Sequence, residues 1–480
     1  MDHVSSFLLD RAQRQELWQR LARAMDEHFD EIRQQRVAPQ LDPEPIRQLL
    51  SAIDFKQALP PADALELVIG GLQRYQVHTP HPGYYGLFNP ATTPMGVAGD
   101  TLAALFNPQL AAWSHSPLGI EVEQHLIRAF APWFGYDPAS TCGTFATAGT
   151  EANHTAVLTG LVNAFPEYMH KGVRSLAKQP VMYVCGEAHH SMHRAARLCG
   201  LGADAVRDIP TDAQLQMDTH ALVERIQVDR RLGLAPFLVS ATAGTTNAGI
   251  IDPLADIAEI ARNERLWYHV DAAWGGAVAL VPEFRAWLAG IEHADSITFD
   301  LHKWLQVPMG AGLYLSRHVD ILDRTFRMSA AYMPREAAGL PVVDSWTQSM
   351  QWSRRFIGLK CFLTLAVAGW NGYQAAIRHM VELGRLLRAK LQAADWDVVN
   401  PTPLPLACFV DRNRPSAEDV DAIAYAVVAT GRAWISPTRV AGRPVLRACI
   451  TNYRSEAKDI ETLVALLEEA RRRGSSAKHR

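Results

Sequence analysis

The sequence predicts an α/β protein built on a mainly parallel sheet, with a helical N-terminal segment and a smaller α+β region at the C-terminus. Three observations carry this. Short, near-continuously apolar runs at Val181–Cys185, Phe237–Ala241, Trp267–Asp271, Ser296–Asp300 and Gly312–Leu315 read as strands covered on both faces. Helical patterns alternate with them, such as Leu254–Arg265 after Asp252-Pro253. The chain has 480 residues, 48% hydrophobic and 20% charged, which is ordinary globular composition in a length beyond one small module.

Residues 1–80 read as an N-terminal helical segment. Within it, Asp10–Gln35 is rich in Leu, Arg, Glu and Gln at helical apolar spacing. Gly and Pro cluster at Pro80–Pro94 and mark the loop that opens a large α/β domain, 81–375. Helical patterns at Ala375–Ala394 and Ala417–Thr430, a strand-like Val445–Ile450 and a terminal helix make a small α+β domain, 376–480.

Charge and composition narrow the function. Lys and Arg total 47 against 50 Asp and Glu, a formal net charge of -3 with no basic stripe, so no nucleic-acid partner is expected. Six cysteines without a CxxC pair lie in apolar surroundings, which predicts buried thiols in a reducing compartment. No run of about 20 apolar residues is present, so no membrane span is expected. The start, Met1-Asp2-His3-Val4, lacks the pattern of a secretory leader, and a cytoplasmic protein is the expectation.

The motifs with chemistry follow the predicted strands. Ser296–Asp300 runs directly into Leu301-His302-Lys303-Trp304. A lysine in a low-dielectric crevice loses its proton more easily and becomes a nucleophile toward an aldehyde, whereas a surface lysine after a strand does neither. Upstream, His269-Val270-Asp271-Ala272-Ala273-Trp274-Gly275-Gly276 ends a buried strand in a carboxylate, which needs a partner. A pyridinium nitrogen would serve, and the small residues that follow leave room for a flat ring. Capping of the next turn is the alternative.

Ala146-Thr147-Ala148-Gly149-Thr150-Glu151-Ala152-Asn153 opens a helix whose free N–H groups suit a phosphate, unless a threonine simply caps them. Thr245 and Thr246 lie in a second hydroxyl-bearing loop. Glu187-Ala188-His189-His190-Ser191-Met192-His193 offers an imidazole to lie over an aromatic ring. Its three histidines lack further ligands at metal spacing, so no metal is expected. Ligands collect beyond strand ends in open parallel sheets, and all of these motifs fall there.

In this order, Thr-Ala-Gly-Thr-Glu-Ala-Asn, Ala-His-His-Ser, Ala-Gly-Thr-Thr, His-Val-Asp-Ala-Ala-Trp-Gly-Gly and Asp-Leu-His-Lys-Trp, the chain resembles the group II pyridoxal-phosphate-dependent amino-acid decarboxylases. That family includes aromatic L-amino-acid, histidine, glutamate and 2,4-diaminobutyrate decarboxylases. The resemblance runs from about His81 to the C-terminus, takes in Val445–Asn452, and is weakest over residues 1–75. It implies a fold-type I, aspartate-aminotransferase-like large domain, pyridoxal 5′-phosphate as cofactor, and a homodimer with active sites at the interface.

By position, the resemblance implies Lys303 as the Schiff-base lysine and Asp271 as the partner of the pyridine nitrogen. It implies His189 stacked on the ring, with Gly149, Thr150 and His302 at the phosphate. Thr246, His269 and Asp300 match positions close to the cofactor. Arg447 matches an arginine that grips the substrate α-carboxylate in glutamate-decarboxylase-like members, with a salt-bridged structural arginine between domains as the alternative. Tyr332 matches the tyrosine of a mobile loop that reaches the partner's site and helps protonate Cα.

The implied reaction is α-decarboxylation of an L-amino acid to the amine and carbon dioxide. Tyr84, Phe88, Trp113 and His115 fall where the family's side-chain pocket lies and favour an aromatic substrate. Gly83–Pro90 follows neither the aromatic nor the glutamate pattern, so acidic and diamino substrates stay as alternatives. A carbon–carbon lyase of the same fold would keep the His-Lys and Asp motifs and is the other alternative.

Overall fold

The apolar runs assemble into one large sheet. Its strands are Cys142–Ala146 (β1), Pro180–Cys185 (β2), Val206–Ile209 (β3), Ala235–Thr242 (β4), Trp267–Asp271 (β5), Ser296–Asp300 (β6) and Gly312–Ser316 (β7), in the order β1-β7-β6-β5-β4-β2-β3. The computed structural model describes residues 7–477 apart from 52, 89–90, 329–332, 334–335 and 338, with side chains through 473. The expected loop tyrosine, Tyr332, lies outside the described residues.

β7 runs antiparallel to β1 and to β6, and every other pairing in the sheet is parallel. β1, β2, β4, β5 and β6 therefore point the same way and end on one edge. The sequence motifs emerge from that edge.

Burial on both faces explains the unbroken apolar runs. On β2, Val181 and Tyr183 join one core cluster while Met182 and Val184 join the other. Successive side chains point to opposite faces, so both parities must be apolar. β3 escapes this pattern because it is an edge strand, with Asp208 exposed and Arg207 paired with the buried Asp229. The six cysteines are all buried and free, in line with their apolar surroundings.

The N-terminal helix Arg11–Glu31 begins at Asp10, whose side chain accepts from the Gln13 N–H while Gln13 returns the bond. Arg33 then reaches Asp459 at 3.0 Å and fastens this segment to the C-terminal helix, Ala457–Ala477. Leu254–Glu264 forms the expected helix and ends at Arg265, which takes a left-handed φ of 55.

A helix over Gly358–Ala393 takes in the expected Ala375–Ala394 helix up to its last residue and continues across the expected boundary at 375/376. The bend falls earlier, at Gly369, where φ 62 and ψ 175 suit glycine. Trp396–Val398 (β8), Leu406–Asp411 (β9), Ser436–Val440 (β10) and Arg443–Cys449 (β11) follow as an antiparallel sheet, β10-β11-β9-β8. Phe299 and Leu313 of the large sheet share one apolar cluster with Trp396, Phe409 and Leu463, so the two sheets are joined through a common core. Among the described residues, no helix is long and apolar enough to cross a membrane.

Candidate active site

Lys303 sits in the short helix Leu301–Trp304 that follows β6 without a break. Its Nζ lies 3.0 Å from Asp300 Oδ2, with the lysine side chain 23% exposed and the aspartate 2%. The amine is thus reachable while its counter-ion is closed in. Lys360 differs: it is buried, with Nζ held 3.1 Å from Asp100 and 2.8 Å from the Met309 carbonyl.

Lys303 opens onto a cavity of about 190 Å³ that also takes in Gly149, Thr150, His189, Thr246, Asp271 and His302. Asp300 lies at the same cavity. Residues from the ends of β1, β2, β4, β5 and β6 therefore meet at one place, as the parallel strand directions require.

The helix Gly149–Ala164 starts from Ala148 with no side-chain cap. The threonine-cap alternative is therefore not adopted, and first-turn N–H groups stay available for an anion. A Cβ on Gly149 would lie 2.8 Å from Asp300 Oδ2, and one on Gly312 would lie 2.9 Å from Oδ1. Glycine at both places lets the carboxylate pack against the helix start. The His302 ring is buried, with Nδ1 2.9 Å from the Ala311 carbonyl oxygen, and burial lowers its basicity.

Asp271 accepts from Asn153 Nδ2 at 2.8 Å and from the Ala273 N–H at 3.1 Å. Asn153 was visible in its motif, yet nothing in the sequence pointed to this role. Its amide also donates to Ser191 at 2.7 Å, and its Oδ1 lies 3.1 Å from His269 Nε2. His269 is fully buried and does not line the cavity; it bonds the same Asn153 amide that donates to Asp271. Burial takes the His269 pKa from its ordinary 6.5 down to about 4, against the pull of Asp271. The available signal was strand alternation, since Trp267, His269 and Asp271 share one face of β5.

His189 stays open to solvent at the cavity, and its Nδ1 accepts the Ser191 N–H at 3.1 Å. Desolvation lowers its basicity while Asp271 pulls the other way. His193 turns to Asp208 at 3.0 Å instead.

The expected side-chain pocket is only partly assembled in one chain. Phe88 lines the cavity, stacks on Trp274 at 4.4 Å, and lies 5.7 Å from Lys303 Nζ. Arg447 crosses the Phe88 ring at 4.9 Å, donating from Nη1 to the Gly86 carbonyl and from Nε to the Thr246 carbonyl. Tyr84 instead stacks on Trp434, and Trp113 bonds to Asp344 and Glu121. Neither these two nor His115 lines the cavity of its own chain.

Asp300 Oδ1, Thr242 Oγ1 and Trp274 Nε1 belong to cavity residues, are buried, and find no partner among the described residues. Such atoms fit a site completed by a polar ligand. With an amine, an anion-binding helix start and a buried carboxylate around one cavity, the residues suit a phosphorylated pyridine aldehyde.

Comparison with known proteins agrees. The pyridoxal-dependent decarboxylase conserved domain matches residues 61–411. The chain is 29% identical over 455 residues to the aromatic-L-amino-acid decarboxylase of Bacillus atrophaeus, covering 92% of this chain and 93% of that one. It is 30% identical over 363 residues to an acidic amino acid decarboxylase of Xenopus tropicalis, covering 75% and 70%. Its fold matches a crystal structure of Oryza sativa TDC with PLP and tryptamine at a TM-score of 0.90 and 24% identity, over 96% of this chain and 98% of that one.

Proposed function

The chain belongs to the pyridoxal-dependent decarboxylase family, with the fold-type I architecture, and is a carboxy-lyase that uses pyridoxal 5′-phosphate on an amino acid; within that activity we propose an aromatic L-amino acid as substrate, with Lys303 and Asp271 anchoring the cofactor. The observation that carries the substrate reading is Phe88, stacked on Trp274 beside Lys303. It sets an aromatic wall at the reacting amine, and aromatic pairs gain about 0.5–1.5 kcal/mol beyond the area they bury.

Bound pyridoxal phosphate supplies an electron sink for the pair left behind when carbon dioxide departs. The residues of the chain arrange everything around it. Lys303 offers its reachable Nζ for covalent attachment. The helix start at Gly149 and Thr150, together with His302, holds the phosphate. Asp271 keeps a proton on the ring nitrogen, its carboxylate oriented by Asn153 and the Ala273 N–H. His189 and Thr246, both at the cavity, would contact the bound ring. Arg447 receives the substrate α-carboxylate, and Tyr332 returns a proton to Cα.

The same reading makes the protein a cytoplasmic homodimer in which Trp113, His115 and Tyr332 serve the neighbouring chain's cavity. The exclusion of Trp113 and His115 from their own cavity supports this. Exposed Leu105, Phe106 and Leu118 offer apolar surface for the second copy.

An acidic substrate is the second reading. It draws on the match of Arg447 to the α-carboxylate arginine of glutamate-decarboxylase-like members, its buried Nη2 having no partner among the described residues. Carbon dioxide release from the common L-amino acids, DOPA, 5-hydroxytryptophan and diaminobutyrate separates the two. Aromatic substrates should turn over fastest, with the amine as product. Release confined to glutamate or aspartate would overturn the substrate reading and leave the family membership intact.

A further inference from the structure

We infer that His269 is a positioning residue for Asp271: it locks the Asn153 amide in one orientation and so keeps the Asp271 carboxylate aimed at the cofactor's ring nitrogen. The inference rests on the reading of Asp271 given above. It concerns a residue that the resemblance matches to a position close to the cofactor and that does not line the cavity.

Five buried side chains form a continuous run. Trp267 Nε1 donates to Ser296 Oγ at 2.9 Å, and Ser296 Oγ lies 2.9 Å from His269 Nδ1. His269 Nε2 lies 3.1 Å from Asn153 Oδ1, and Asn153 Nδ2 reaches Asp271 Oδ2 at 2.8 Å. Strand geometry makes this possible, because alternate residues of β5 share a face and Ser296 on β6 stands in register with His269.

Donor and acceptor counting leaves one arrangement. An ionised carboxylate only accepts, so Asn153 must turn its NH2 group to Asp271. Its other amide hydrogen goes to Ser191. The amide oxygen then faces His269, so Nε2 must carry the ring proton. Burial keeps the imidazole neutral, which leaves Nδ1 bare and in need of a donor. The Ser296 hydroxyl supplies it, and the Trp267 N–H satisfies Ser296 in turn.

Without a donor at position 269, the Asn153 oxygen is stranded in the core. Reversing the amide would set that oxygen against Asp271 Oδ2. A stranded oxygen removes what holds the amide in place, and reversal costs Asp271 a donor that favours its charged form. The ring nitrogen would then hold its proton less firmly, and the effect would appear in turnover more than in substrate binding.

The test uses the enzyme loaded with ring-15N pyridoxal phosphate, in wild type, His269→Leu, His269→Gln and Asp271→Ala. The 15N shift at neutral pH reports the proton on the ring nitrogen. His269→Leu should move the signal toward the unprotonated position and lower kcat by about tenfold or more, the scale of one hydrogen bond to a charged group, with KM within about threefold. His269→Gln, whose amide can donate to Asn153, should recover most of both. A protonated-type signal in His269→Leu, or equal losses in the Leu and Gln variants with no 15N movement, would overturn the positioning role. If His269→Leu does not fold, Ser296→Ala takes its place: it removes the hydroxyl that fixes the His269 tautomer and should move the 15N signal in the same direction, while an unmoved signal would overturn the positioning role. An unmoved signal in Asp271→Ala would instead overturn the Asp271 reading.

Discussion

Around Asp271, the side chains of Asn153, Ser191, His269 and Ser296 fill one another's hydrogen-bonding positions. Around Lys303 and Phe88, by contrast, Asp300 Oδ1, Trp274 Nε1 and Arg447 Nη2 are buried without a partner among the described residues. The first region is satisfied within the chain apart from Thr242 Oγ1, which suits a carboxylate proposed to hold one ring atom. The second is left for phosphate, cofactor and substrate to complete. The cavity therefore joins a rigid anchor to a receptive surface, and each can be perturbed separately.

Breaking the anchor should have the larger effect. Asp271→Ala removes the carboxylate and leaves the helix start and Lys303 in place, so activity should fall about 10²-fold or more while cofactor content falls far less. Steady-state kinetics alongside bound-cofactor absorbance would check this. Near-normal turnover would mean that Asp271 only caps its own turn.

Perturbing the receptive surface should give a smaller change of a different kind. Phe88→Leu keeps an apolar group against Trp274 and removes the aromatic face. KM for an aromatic substrate should rise about three- to tenfold with kcat little changed, the scale of one aromatic pair. An equal rise for an aliphatic competitor would show that Phe88 only fills space.

A third effect is on stability, not turnover, and comes from the anchor again. Below its ordinary pKa of 6.5, His269 takes up a proton in the unfolded chain, whereas the folded chain refuses it down to about 4. Unfolding free energy should therefore fall as pH drops through that window, by about 3 kcal/mol at most from this residue. His189 and His302 act in the same sense. Asp252 acts in the opposite sense, because burial raises its pKa to about 6 and the folded chain gains a proton there. Urea unfolding of wild type and His269→Gln at pH 7 and pH 4 isolates the His269 share. Wild type should lose more than the variant, and equal losses would contradict the buried neutral histidine.

The fold was legible where both faces of a strand are buried, as in Trp267–Asp271 and Ser296–Asp300, which form over the residues their apolar runs predict. It was not legible in β3, whose Arg207 and Asp208 break the run at the sheet edge. In the site, Lys303 and Asp271 stood out because their motifs are local. The contact between Asn153 and His269 joins distant parts of the chain and has no local pattern. The stacking of Tyr84 on Trp434 likewise joins distant parts of the chain.

The central claim is that Lys303 is the amine that carries the cofactor. Borohydride reduction of the loaded protein, followed by peptide mapping, tests it directly. The pyridoxyl label should fall on Lys303, the lysine that is reachable at the cavity. A label on Lys360, which is closed off by Asp100 and the Met309 carbonyl, or no stable label at all, would contradict the account.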